Sequence, residues 1–187
     1  MPLVAENNHS LVQAARRHDA QAWSALLKQH QLSLYAYVAE LTHNREVALD
    51  VVQETFANAV RHIATLRDDA KFSSWLFGIA HQRCVQQFRR KRRHEEFFAE
   101  TDEAADDFPD AEIDDPRDTL IRAERSEAFF ALVEKLPVAQ RSALLLHGLE
   151  DFSIEEIAAI TAAPVGTVKS RLHHAKRTLR KLVEDHS

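Results

Sequence analysis

Between positions 167 and 177, hydrogen-bond donors recur beside an apolar stripe: Thr167, Lys169, Ser170, His173, His174 and Arg177. Hydroxyl, ammonium, imidazole and guanidinium groups in such a row suit phosphate oxygens and base edges in a DNA major groove. A second set lies earlier, with Lys71, Phe72, Ser74 and Trp75 followed by Gln82, Arg83, Gln86, Arg89 and Arg90. Rings beside amides and cations are what a single nucleic-acid strand needs, because bases stack on the rings while phosphates track the charges. The competing use of Phe72, Trp75, Leu76 and Phe77 is core packing, expected for at least two of the four. In a third set, Asp50, Gln53, Glu54 and Ala57 share one face of a helix. Acids and amides around a small residue make a level surface for docking another protein, or equally an ordinary solvated face.

Metal and nucleophile chemistry finds less support. The chain has 11 histidines, but His173 and His174 are adjacent and point about 100° apart on a helix, a poor arrangement for one metal. His43, His62, His81 and His147 lack ligand spacing with one another. No glycine-rich phosphate loop and no nucleophile motif is present. The expectation is a non-enzyme without metal or cofactor. The single Cys84 excludes an intrachain disulfide and a Cys-rich zinc module, and is expected in the N-terminal core.

The elements that must carry these sets are helices. Ser153 followed by Glu156 forms a capping box at a helix start, with Ile154, Ile157, Ala158 and Ile160 turned toward a core. Thr161-Ala162-Ala163 reads as a turn, and Pro164 fits the beginning of the next helix. Val165, Val168, Leu172, Ala175, Leu179 and Leu182 then recur at steps of three and four, the period of an amphipathic helix. The donor row falls on its opposite side, which completes a helix-turn-helix. Upstream, periodicity predicts helices from Ser10, from Ala20 to Leu41, from an N-cap at Asn44 to Leu66, and from Ser73 into the basic run 89–93. Within the third, Val52, Phe56, Ala59 and Ile63 form the buried stripe. Helical periodicity returns at Thr119, and a further helix starts at Pro137 and stops near Gly148.

Only 3 Gly and 5 Pro among 187 residues argue for an all-α protein. No apolar run approaches the roughly 20 residues of a membrane helix, and no signal peptide is recognisable, so no membrane insertion and a cytoplasmic location are expected. The net charge of −5 hides a division: residues 95–118 hold twelve Asp and Glu against Arg117, a local −11, and the rest of the chain carries +6. With Pro109, Pro116 and little periodicity, that stretch reads as a flexible linker. The predicted architecture is two small helical domains, 1–93 and 119–187, joined by an acidic linker at 94–118, the second containing the helix-turn-helix.

Three segments in this order resemble bacterial sigma factors of the extracytoplasmic-function (ECF) group. Asp50-Val51-Val52-Gln53-Glu54-Thr55-Phe56 is similar to the segment with which sigma factors hold core RNA polymerase. Phe72 to Ala80 is similar to the segment that opens the −10 promoter element and captures its non-template strand. Residues 153–179 are similar to the helix-turn-helix that reads the −35 element. The resemblance implies a non-catalytic initiation factor that binds core polymerase through Asp50, Gln53 and Glu54. It implies that the set from Lys71 to Arg90 meets single-stranded −10 DNA, and that the set from Thr167 to Arg177 meets duplex −35 DNA. It further implies control by an anti-sigma factor, and an acidic linker that either threads toward the polymerase active-site cleft or, extended by self-repulsion, only spaces the two domains. Gly78, the run 81–84 and the two histidines at 173 and 174 depart from the usual pattern, which bears on the promoter sequence read and not on the function. A stand-alone DNA-binding regulator is the rival reading, but leaves the aromatic-basic helix and the acid-amide face without a role.

Overall fold

A computed structural model describes residues 2–94 and 127–184. The chain divides into two compact units, Met1–His94 and Glu95–Ser187, and the elements of the described residues are helical. The acidic stretch read as a linker lies, beyond His94, outside the described residues.

The N-terminal unit consists of α1 (Pro2–Arg16), α2 (Ala20–Thr42), α3 (Arg45–His62) and α4 (Phe72–His94), with two short 3₁₀ turns, Ile63–Thr65 and Asp69–Lys71, between α3 and α4. Caps fix the starts. Asp19 accepts from the backbone of Gln21 and Ala22, and Asn44 from Glu46 and Val47, each satisfying N–H groups that have no intrahelical partner. The core is built from Leu26, Leu34, Tyr37, Val38 and Leu41 of α2, Ala48, Val51, Phe56 and Ala59 of α3, and Phe72, Leu76, Phe77, Ala80 and Cys84 of α4. A buried polar link crosses it: the Tyr37 hydroxyl lies 2.8 Å from His81 Nδ1.

The N-terminal unit differs in places from the periodicity reading, and its first helix begins at Pro2 instead of Ser10. The third helix stops at His62 instead of Leu66, because its last turn tightens into the 3₁₀ form, a common way of satisfying terminal carbonyls. Its buried side is centred on Val51, Thr55 and Ala59, so that Val52 is only half-buried.

The α3–α4 connection is held from α1. Arg16 Nε and Nη2 donate to Asp69 Oδ1 at 3.0 and 2.9 Å, Nη1 donates to the Ile63 carbonyl at 3.1 Å, and Nη2 also donates to the Leu66 carbonyl. Nearby, the Trp23 indole N–H donates to the Ala15 carbonyl at 3.1 Å, and the Trp23 ring meets Phe72 edge-on at 6.4 Å.

The C-terminal unit contains α5 (Glu127–Glu134), α6 (Val138–Gly148), α7 (Ile154–Thr161) and α8 (Val165–Glu184). The capping box is present in full, with Ser153 accepting from the Glu156 backbone and Glu156 from that of Ser153. Ala162 closes α7 in the left-handed region at φ 52°. Val168, Leu172, Ala175 and Leu179 pack with Ile157, Ile160 and Leu144–Leu146 in one core. Val165, at the first position of α8, is 39% exposed, and so stands outside the stripe to which its spacing assigned it.

His30 is buried against Phe72, ring centroids 5.5 Å apart, and its Nε2 has no hydrogen-bond partner among the described residues. Burial holds its pKa below the ordinary 6.5, so the folded chain resists a proton that the unfolded chain accepts. The resulting stability is present above pH 6.5 and is lost as pH falls through the lower folded value. We expect the urea midpoint of His30→Leu, relative to wild type, to rise between pH 7.5 and 5.5. The two tryptophans, Trp23 and Trp75, report this unit by fluorescence, and a difference independent of pH would contradict the assignment. Burial likewise pushes the Cys84 thiol up to about 12. We expect iodoacetamide to leave it unmodified at pH 8 until denaturant is added.

Candidate nucleic-acid and polymerase-binding surfaces

In the N-terminal unit, α4 divides its residues between two tasks. Phe72, Leu76, Phe77, Ala80 and Cys84 face the core, while Trp75, Ile79, Gln82, Arg83 and Gln86 line an open groove against α3. Asn58 and His62 of α3 and Thr65 of the first 3₁₀ turn form the facing wall, and the groove measures about 330 Å³. That is the lower range of ligand-sized clefts. Its lining combines an indole, three side-chain amides and a guanidinium, the chemistry needed to stack a planar base and bond its edge.

The N-terminal residues singled out in the sequence fall into two groups. Lys71, Gln82, Gln86, Arg89 and Arg90 are exposed, and Trp75 and Arg83 are half-buried at the groove. Phe72 and Ser74 are not presented. Phe72 is 1% exposed and packs on Trp23, His30 and Trp75, so no base can stack on it without opening the core. Ser74 is 8% exposed, with its hydroxyl donating to the Lys71 carbonyl at 3.1 Å. Ser74 thereby fixes the lead-in to α4, and Phe72 packs on the ring of Trp75, 5.9 Å away.

Asp50, Gln53 and Glu54 are exposed on α3. Glu54 also pairs with Arg83 at 3.3 Å, which joins the acid-amide face to the groove. Glu54 is exposed and Arg83 only half-buried, so water screens the pair, which is weak and readily exchanged for other partners. Asn58, His62 and Thr65 were not singled out from sequence. The signal for the first two was present, because Glu54, Asn58 and His62 recur at steps of four and therefore share a face.

In the C-terminal unit, Lys169, His173 and Arg177 are exposed, and Thr167, Ser170 and His174 half-buried, on the side of α8 opposite Val168, Leu172 and Ala175. The His173 and His174 rings meet edge-on at 5.8 Å. Among the described residues, no group of three or more His, Cys, Asp or Glu is placed to hold a metal ion, and no helix is long and apolar enough to cross a membrane.

Two helical units, the second carrying a helix-turn-helix with an exposed donor face, define the class as a helix-turn-helix protein with a separate helical module before it. Residues 26–94 match the family model of sigma-70 region 2, and residues 126–179 that of sigma-70, region 4. The chain is 32% identical over 178 residues to the ECF RNA polymerase sigma-E factor of Salmonella typhimurium, covering 93% of each. It is 29% identical over 186 residues to the RNA polymerase sigma-H factor of Pseudomonas aeruginosa, covering 97% of this chain and 96% of that one. The fold is similar to CnrH, solved in complex with the cytosolic domain of CnrY (TM-score 0.67, 22% identity, 96% and 99% covered). It is also similar to the sigma factor RpoE of Bartonella quintana, solved in complex with the anti-sigma factor NepR (TM-score 0.66, 24% identity, 88% and 98% covered). The chain belongs to the sigma-70 family of RNA polymerase sigma factors, in its ECF group.

Gly166, the second residue of α8, is surrounded by open space: a Cβ there would meet nothing within 4 Å. We expect Gly166→Ala to stabilise the C-terminal unit by about 0.5–1 kcal/mol through helix propensity and a less flexible unfolded chain. Thermal unfolding followed by circular dichroism measures this, and a lowered midpoint would contradict it.

Proposed function

We propose that this chain is an alternative sigma factor of the ECF type, which binds core RNA polymerase and directs it to promoters through two separate DNA contacts. The observation that carries the reading is the presence, on one chain, of two surfaces whose chemistry suits DNA in two different forms. One is a capped helix-turn-helix with an exposed donor face; the other is a groove lined by an indole, amides and a guanidinium. The first suits a rigid duplex, the second a strand whose bases have left the stack.

In this reading Asp50, Gln53 and Glu54 meet core polymerase. Trp75, Gln82, Arg83 and Gln86 receive unstacked bases of the −10 strand, while Lys71, Arg89 and Arg90 hold its phosphates. Phe72 and Ser74 support that site from beneath. Thr167, Lys169, Ser170, His173, His174 and Arg177 read the −35 duplex. Unstacking a base costs a few kcal/mol, which stacking on Trp75 and the polymerase contacts would offset. The chain itself performs no catalysis, works in the cytoplasm and is held in check by an anti-sigma factor. Support for that last partner comes from the fold it shares with RpoE of Bartonella quintana, which was solved bound to one.

The test is reconstituted transcription with bacterial core polymerase on a promoter library varied at both elements. Initiation that depends on this chain and selects a spaced pair of motifs is the expected result. Duplex binding without core binding would instead favour the stand-alone regulator. We expect Glu54→Lys to lower core affinity at least tenfold with the fold intact, as read by pull-down and circular dichroism. His173→Ala should change the preferred −35 sequence, at a cost of about 1–3 kcal/mol on the selected site. Unchanged preference would remove His173 from the reading surface.

A further inference from the structure

The groove owes one wall to a residue outside the segment that matches region 2. Thr65, which lines it, sits between the two backbone carbonyls, Ile63 and Leu66, that accept from the Arg16 guanidinium. The same guanidinium holds Asp69 through two N–H groups, and Asp69 opens the 3₁₀ turn that leads through Lys71 into α4. Four of the five N–H donors of one planar group thus tie together both ends of the α3–α4 connection. The Asp69 carboxylate is 11% exposed, and the Arg16 side chain 29%, so the cluster is partly withdrawn from water and stronger than a surface pair. His9 Nδ1 adds a contact to the other Asp69 oxygen at 3.6 Å.

The connection between α3 and α4 has no helix of its own beyond the two short turns, and Ala64, Thr65, Arg67, Asp68 and Lys71 along it are exposed. Its own fixation comes from the Ile63 and Leu66 side chains, both buried, and from bonds that each reach only a few residues. Thr65 Oγ1 donates to the His62 carbonyl at 2.8 Å, the Leu66 N–H to the Ile63 carbonyl at 3.1 Å, the Ala70 N–H to Asp68 at 3.0 Å, the Lys71 N–H to the Asp68 carbonyl at 3.0 Å, and Ser74 to the Lys71 carbonyl at 3.1 Å. Without the clamp, Thr65 and Lys71 would be placed by those anchors alone. A wall residue displaced from its place leaves the narrow range of distance and angle in which a hydrogen bond to a base edge forms.

We propose that Arg16 is a positioning residue for −10 recognition: it sets the groove wall and the lead-in to α4 without touching DNA. The proposal rests on the assignment of the groove to the −10 strand. It makes α1 part of the promoter-reading apparatus, although α1 precedes the region 2 match at residues 26–94. Lysine is no substitute at this place, since an ammonium offers its donors from one point and cannot span two carbonyls and a carboxylate.

The experiment uses full-length protein, core polymerase and a promoter selected by wild type from the randomised library. Arg16→Lys and Asp69→Asn, singly and together, are compared with wild type for core affinity, −35 duplex binding and thermal midpoint. Initiation is then measured on the selected promoter, on the same promoter with altered −10 bases, and on a template with the −10 region already unpaired. For each single variant, core affinity and −35 binding should stay within about twofold of wild type. Discrimination between selected and altered −10 bases should fall at least about fivefold, with the loss persisting on the unpaired template. The double variant should be no worse than the poorer single one, because both remove the same clamp. Full discrimination by Arg16→Lys would overturn the proposal, as would a loss of core affinity and thermal stability parallel to the loss of initiation. Absence of −10 discrimination in wild type would instead remove the groove assignment and the proposal with it.

Discussion

Burial of the Phe72 ring, in contact with Trp23, His30 and Trp75, is the contact from which the N-terminal unit is measured. It sets where α4 begins and how the helix is rotated. Once Phe72 faces inward, the helical period brings Leu76, Phe77, Ala80 and Cys84 into the same core. The same rotation leaves Trp75, Ile79, Gln82, Arg83 and Gln86 along the groove. Core and candidate site are therefore two sides of one helix, and a change in the first moves the second. His30, whose Nε2 has no partner among the described residues, shows that this packing is maintained at some cost in polar satisfaction.

The C-terminal unit solves a related problem by different means. A duplex-reading helix must expose polar groups along its length and still be held rigidly. In α8 this is achieved by a narrow buried seam of Val168, Leu172, Ala175 and Leu179. The short α7 braces it and is itself fixed at one end by the Ser153–Glu156 capping box and at the other by the left-handed Ala162. A non-glycine residue in that conformation carries some backbone strain, accepted where the turn must redirect the chain within three residues. Family membership and site geometry thus meet at the same elements. The two segments that match sigma-70 regions 2 and 4 contain the groove-forming helices α3 and α4 and the helix-turn-helix.

What was legible in sequence was whatever repeats at short range. The Ser153–Glu156 box, the Asn44 cap and the α8 seam depend on residues two to four apart, and each is where its spacing indicates except at the ends of the seam, where Val165 is exposed and Leu182 half-buried. The all-helical class followed from the same periodicities and from the scarcity of glycine and proline. The exposed triad Asp50, Gln53 and Glu54 could be read because its members lie within two turns of one helix. Less legible were the divided roles of aromatic residues. The types of Phe72 and Trp75 suit either a core or a stacking platform, and only the neighbours supplied by α2 determine that Phe72 is buried and Trp75 half-exposed.

By itself, then, the sequence determined the helices, their caps, the faces they present and the order of the three segments that mark the family. These properties arise from interactions within a few residues, where backbone geometry leaves little choice. The tertiary structure alone decided which residues from different helices meet. Examples are Glu54 with Arg83, the wall of Asn58, His62 and Thr65 opposite Trp75, and Arg16 with carbonyls about fifty positions away. No local period encodes such contacts. They exist because burying Phe72, Leu76 and Phe77 brings distant segments together, and polar side chains then pair with whatever that packing has placed within reach.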